Sequence, residues 1–152
     1  MAGEIQDVID QLVIIQKAIT GPAGEKDLVE AYDEPPAQIT EFPCFYNREE
    51  EIGDIRRGAG VRRMFGRIGM HLLFGASGAQ KYSVRSRRRW LKAVLDGFDV
   101  QLALGLAQLP VQYAPVTNVT FAPLELNGKE YVTATFWLDV QWTEAFEFGS
   151  GA

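Results

Sequence analysis

The sequence predicts a single α+β domain over residues 1–152: a four-stranded, mainly antiparallel sheet with two helices packed on one face, and a long loop between the first two strands. Three observations predict it. Apolar residues recur at helical spacing in residues 4–19 and again from about Ser83 onward. Residues 61–74 and 131–142 alternate side chains with the period of a strand. Between two β-rich runs stands Asn127-Gly128, the dipeptide best suited to a type I′ hairpin turn because both residues tolerate positive φ.

The elements follow in order. In residues 4–19 Ile5, Val8, Ile9, Leu12, Ile15 and Ile19 form one stripe, widened by Val13 and Ile14, while Asp7, Asp10 and Lys17 lie off it. Gly21-Pro22 ends this helix. Residues 21–37 read as a loop, with a short helical turn at Asp27–Tyr32. Residues 38–48 read as a strand at an edge or bent at Pro43, which has no N–H to give to a ladder. Residues 48–62 run from acidic to basic through Gly53, Gly58 and Gly60, and read as a mobile hairpin loop or arm.

The next strand, 61–74, places Met64, Ile68, Met70, Leu72 and Phe74 on one face and Arg63, Arg67 and His71 on the other. Ser83 is a candidate N-cap for the second helix, whose buried stripe is Val84, Leu91, Val94, Leu95, Phe98 and Leu102, with a pattern that runs on through Leu109. Val116–Leu124 and Tyr131–Trp142 are the last two strands, and residues 144–152 form a frayed tail.

Charge is the most informative property of the chain. Residues 1–55 hold 13 acids and 3 bases, residues 56–92 hold 11 bases and no acid, and residues 93–152 hold 7 acids and 1 base. A net charge of −5 therefore hides a wholly basic third between two acidic ones. Within it, Arg85, Arg88, Arg89 and Lys92 share an exposed face in the first turns of the second helix, where the helix macrodipole disfavours cations. Three readings stand open: neutralisation within the fold, contact between the basic face of one subunit and the acidic face of the next, and binding of nucleic-acid phosphate.

Other function classes find little support. One cysteine, Cys44, rules out an internal disulfide framework. It reads as a small core residue beside Phe42 and Phe45 rather than a nucleophile. His71 stands alone on a strand, exposed or half-buried, without partners at metal-ligand spacing. The acids Glu49, Glu50, Glu51 and Asp54 lack calcium-loop spacing, and "GAG" and "GASG" lack the lysine and context of a phosphate loop. No catalytic, cofactor-binding or metal-ligating set is expected, and the chain is not read as an enzyme. The opening residues lack the basic start of a signal peptide, and their apolar run is broken by Asp7, Asp10 and Lys17, so no membrane span is expected.

The layout of a short helix, a proline-containing strand, a long acidic-to-basic loop, a strand, an arginine-bearing helix and the final hairpin "VTFAPLELNGKEYVTATFWLDVQW" resembles the tail terminator (tail completion) family of long-tailed bacteriophages. The resemblance spans most of the chain and rests on element order and the texture of that hairpin. It implies a structural virion protein of the tail–neck region, assembled in the host cytoplasm. Its subunits would form a hexameric ring that caps the tail tube, ends tube polymerisation and meets the head-side connector. Under it, Arg56, Arg57, Arg62, Arg63, Arg85, Arg88, Arg89 and Lys92 are candidates for subunit contact, with transient contact to the genome in the channel as the alternative. Glu49, Glu50, Glu51 and Asp54 become an inter-subunit loop. Related head–tail adaptor and head-completion proteins share much of this architecture. A small basic-patch nucleic-acid-binding module is the alternative from another class.

Overall fold

The computed structural model describes residues 5–77, 84–99 and 111–145. Two helices, α1 (Ile5–Lys17) and α2 (Val84–Asp99), accompany strands β1 (Glu30–Tyr32), β2 (Cys44–Gly58), β3 (Val61–Ala76), β4 (Val111–Tyr113), β5 (Val116–Thr120), β6 (Leu124–Leu126) and β7 (Lys129–Ala145). The α+β class holds. The sheet is mixed and larger than four strands: its order is β1-β2-β3-β7, with β4, β5 and β6 each pairing a different stretch of β7.

Three long strands carry this sheet. β3 is antiparallel to β2 from Val61↔Gly58 to Leu73↔Cys44 on one edge, and antiparallel to β7 from Val61↔Ala145 to Ala76↔Tyr131 on the other. Strict alternation sends Met64, Ile68, Met70, Leu72 and Phe74 toward the helices, as their spacing predicts, and all are buried. Across from them β7 contributes Ala134, Phe136, Leu138, Val140 and Trp142. Onto this layer α1 lays Val8, Ile9, Leu12 and Ile15, and α2 lays Trp90, Val94 and Phe98. Trp90, fully buried, is absent from the expected stripe; it sits one position before Leu91, which is only half-buried. Fully burying a side chain of this size contributes about 1.5–3 kcal/mol. Gly66 lies in the same layer because the Trp142 ring occupies the space of a side chain, 2.8 Å from where a Cβ would stand.

Several expectations need correction. Asp27–Tyr32 contains no helical turn; Glu30–Tyr32 is a strand parallel to Cys44–Tyr46. Its central Ala31 is buried between half-buried neighbours, a strand pattern too short to register as a period. Residues 38–43 are not strand: β2 begins only after Pro43. Residues 48–62 are not a loop. They form the distal part of a continuous hairpin closed by Ala59 and Gly60, the latter at φ 74°. The type I′ turn is as expected, with Asn127 at φ 52° and Gly128 at φ 77°. Ser83, Leu102–Leu109 and the tail beyond Ala145 lie outside the described residues.

The opposite, outer face is covered at one end by a second apolar cluster of Ile39, Cys44, Tyr46, Leu73 and Tyr131, with Phe42 and Leu124 against it. On the helix side of the sheet, α1 is tied to β2 by a reciprocal amide pair. Gln16 Nε2 donates to Asn47 Oδ1 (2.6 Å), and Asn47 Nδ2 donates to Gln16 Oε1 (2.8 Å) and to the Tyr32 carbonyl (3.2 Å). Both side chains are buried. Asn47→Ala should therefore destabilise the chain by about 1–3 kcal/mol, because Gln16 is left buried and unpaired. The Gln16→Met, Asn47→Leu double variant should recover much of that loss in urea denaturation. A double variant with the summed loss of the two single changes would show the pair to be uncoupled.

Candidate assembly surfaces: an arginine arm and an arginine helix face

From Arg48 to Gly58 every residue of β2 is exposed except the half-buried Gly53. β1 pairs only Cys44–Tyr46, so beyond Tyr46 the outer edge of β2 meets no strand among the described residues. The hairpin continues there because β3 keeps offering a ladder, even though β2 buries little of its own surface. Two register shifts, at Glu49/Glu51 and Gly53/Arg56, bulge the exposed strand. Asp54 takes φ 49° in the second bulge, and its carboxylate accepts from Arg56 Nε (3.3 Å) and Nη2 (3.1 Å).

The four expected acids serve different ends. Glu49 pairs across to Ile68, and Glu51 to Arg67, a favourable cross-strand pair of opposite charge. Glu50 lies in the first bulge, 3.5 Å from Arg48 and 4.0 Å from His71 Nε2. They do not converge: among the described residues no cluster of acids, histidines and cysteines could hold a metal.

Beyond the second bulge four arginines meet. Arg56 stands opposite Arg63, and Arg57 opposite Arg62. Alternation puts Arg57 and Arg62 on the helix face, and Arg56 and Arg63 on the outer face. Like charges directly opposite each other destabilise a sheet. Arg62 is relieved by Glu144 (3.2 Å) and Arg56 by Asp54, with Phe65 beneath it at 5.8 Å. Arg57 and Arg63 have no ion pair among the described residues. The arm also exposes Ile52, Ile55 and Val61. Sequence reading passes over these three, because single apolar residues in a charged run show no period.

On α2, Arg85, Arg88, Arg89 and Lys92 are all exposed, as expected. Two are engaged within the chain: Arg89 reaches Glu25 at 3.4 Å, and Lys92 reaches Asp96 one turn on at 2.6 Å. Arg85 and Arg88 have no ion pair among the described residues. Two further arginines lie on aromatic rings, Arg67 over Trp137 at 4.7 Å and Arg87 over Phe121 at 5.3 Å. Among the described residues, neutralisation within the fold thus accounts for part of the basic third and leaves Arg57, Arg63, Arg85 and Arg88 without an ion pair.

The remaining candidate chemistry is structural in character. Cys44 is fully buried, and loss of hydration, with Glu30 nearby, pushes its thiol up to about 12. His71 is also buried, contrary to expectation. Its ring stacks on Tyr46, meets Trp137 edge-on and lies 2.8 Å from Thr135 Oγ1 through Nδ1. Desolvation, and then the charge of Arg48, lowers its pKa from 6.5 to about 4. Glu50 does not offset this, since Arg48 already shares the same carboxylate oxygen. A concavity of about 440 Å³ on the outer face, lined by Glu51, Asp54, Phe65, Arg67, Asp139 and Gln141, mixes both charges. No helix among the described residues is long and apolar enough to cross a membrane. Set beside known proteins, the chain matches no family model and no curated sequence.

Two outcomes are expected. Between pH 6.5 and about 4 the unfolded chain holds a proton on His71 that the folded chain refuses, so stability should fall as pH falls through that window. His71→Gln should flatten this part of the urea-midpoint profile; an unchanged slope would assign it to the carboxylates. Separately, Arg57→Thr removes one of two facing cations and should raise the stability of the free chain by about 0.2–1 kcal/mol. A lowered unfolding midpoint would mean that Arg57 is satisfied within its own chain.

Proposed function

We propose that this chain is a non-enzymatic structural component of a virion, a tail terminator that forms a closed ring, most simply of six subunits. The ring caps the tail tube, ends its growth and joins the tail to the head-side connector. The observation that carries the reading is the arm: a strand exposed on both faces, whose outer edge meets no strand among the described residues, bearing facing arginines and exposed apolar side chains. A lone domain gains nothing from this arrangement, whereas a subunit that closes against its neighbours does. The segregation of charge along the chain supports it.

A ring is built from heterologous contacts, one patch against a different patch. Opposite potentials on the two patches steer the encounter and fix its register. Arg85 and Arg88 supply such a potential at the start of α2, while the acidic thirds of the chain supply the opposite one. A channel through the ring would pass the genome, and arginines lining it could meet phosphate only weakly if the genome is to move.

Each exposed ion pair contributes only about 0.2–1 kcal/mol, so single substitutions should be tolerated. Arg85→Glu with Arg88→Glu should leave circular dichroism unchanged, abolish rings in electron micrographs of tube-bound protein, and give overlong or unjoined tails. Arg89 is left in place because it already serves Glu25. Normal rings and tail lengths with a defect confined to genome passage would instead assign these arginines to nucleic acid.

A further inference from the structure

Five large apolar side chains are exposed among the described residues: Ile14, Ile52, Ile55, Val61 and Phe121. Phe121 is capped by Arg87 of its own chain. Three of the other four lie on the arm, among arginines that stand opposite one another. The fourth and most exposed, Ile14 at 59%, lies on α1. It follows Asp10 by one helical turn, and Asp10 follows Gln6 by another.

The surroundings of Ile14 have the charge that the arm lacks. Gln6 Nε2 donates to Asp10 Oδ1 (2.8 Å) and to Asp33 Oδ2 (3.3 Å), holding two carboxylates side by side through a neutral amide. Glu34 follows, on the rim of a cleft of about 350 Å³ between α1 and β2. The cleft contains one base, Arg48, which is turned to Glu50. Asp10, Asp33 and Glu34 have no ion pair among the described residues. Arm and α1 face are thus complementary twice over, apolar to apolar and cation to anion.

We infer that the arm of one copy docks on the outer face of α1 of a second copy, with Arg57 meeting Asp10, Asp33 and Glu34, and Ile52, on the same face of the hairpin, covering Ile14. This inference rests on the ring reading and names the surfaces that make the ring. The contact is heterologous, so each subunit offers one arm and one receiving face. Facing arginines that strain the free hairpin become the charge that the neighbour needs. The arm's open edge and bulged backbone leave its side chains free to adapt to a helix rather than to another strand.

The test separates the two surfaces. Arg57→Gln with Ile52→Thr disables the arm, and Asp10→Asn with Glu34→Gln disables the receiving face. Sedimentation at low salt and high concentration, and electron microscopy on purified tail tubes, are read for wild type, each variant and an equimolar mixture. Each variant alone should assemble at least about tenfold more weakly than wild type, roughly 1.4 kcal/mol or more per contact. The mixture should stop at a one-to-one dimer, because an intact arm on one chain meets an intact face on the other and no second arm-to-α1 contact remains to extend it. Wild-type assembly by either variant overturns the docking and leaves the ring reading intact. A wild type that stays monomeric both in solution and on tubes overturns both. Binding of short duplex DNA that is lost in the arm variant while assembly persists assigns the arm to phosphate and overturns the docking.

Discussion

The structure depends on one constraint: β3 is hydrogen-bonded along both edges and must alternate its side chains without a slip. A one-residue shift would turn Ile68, Met70, Leu72 and Phe74 out of the helix-side core and turn Arg67 and His71 into it. The pairing with β7 runs from Val61 to Ala76 with a single shift near its end, between Leu73 and Gly75, so register is held over nearly its whole length. β2 inherits its course from β3. Where β2 buries its apolar residues, at Phe45 and Tyr46, it belongs to the core; beyond Asn47, where Ile52 and Ile55 stay exposed, it still follows the ladder.

The boundary between those two regimes is Asn47. Before it, β2 is buried on both faces; after it, β2 is exposed. A buried amide pair at this point gives direction that apolar contacts lack, since Gln16 and Asn47 satisfy each other in only one alignment of α1 against the sheet. His71 sits one row away on the outer face, kept neutral by aromatic neighbours and by Arg48. The region is thus fixed by polar groups that accept few alternatives. The arm beyond it is held by backbone pairing and a few exposed or half-buried contacts, Arg56 with Asp54 and Phe65, and Arg62 with Glu144.

Much of this was legible in the sequence where a period was long enough to be distinctive. The stripe of α1 apart from Ile14, which is exposed rather than part of it, the alternation of residues 61–74, the Asn127-Gly128 turn and the exposed arginines of α2 all follow from local spacing. The rest required knowledge of partners. Glu30–Tyr32 is strand only because Cys44–Tyr46 lies alongside it. Arg48–Gly58 looks like a loop by composition, and becomes strand because β3 is already committed to its full length. The burial of His71 comes from Tyr46 and Trp137, both distant in sequence. Of the basic third, the sequence exposes the charge, whereas only the fold separates Arg56, Arg62, Arg89 and Lys92, which have ion pairs, from Arg57, Arg63, Arg85 and Arg88, which have none among the described residues.

The two bulges in β2 have a consequence for the life of the free subunit. An uncovered strand edge is ordinarily a template on which other chains polymerise. Here the donors and acceptors along that edge are thrown out of even spacing twice within a few residues, at Glu49/Glu51 and Gly53/Arg56, and charged side chains flank each break. An incoming strand could match only short pieces of the edge before losing phase. The arm can therefore stay uncovered without templating a growing sheet.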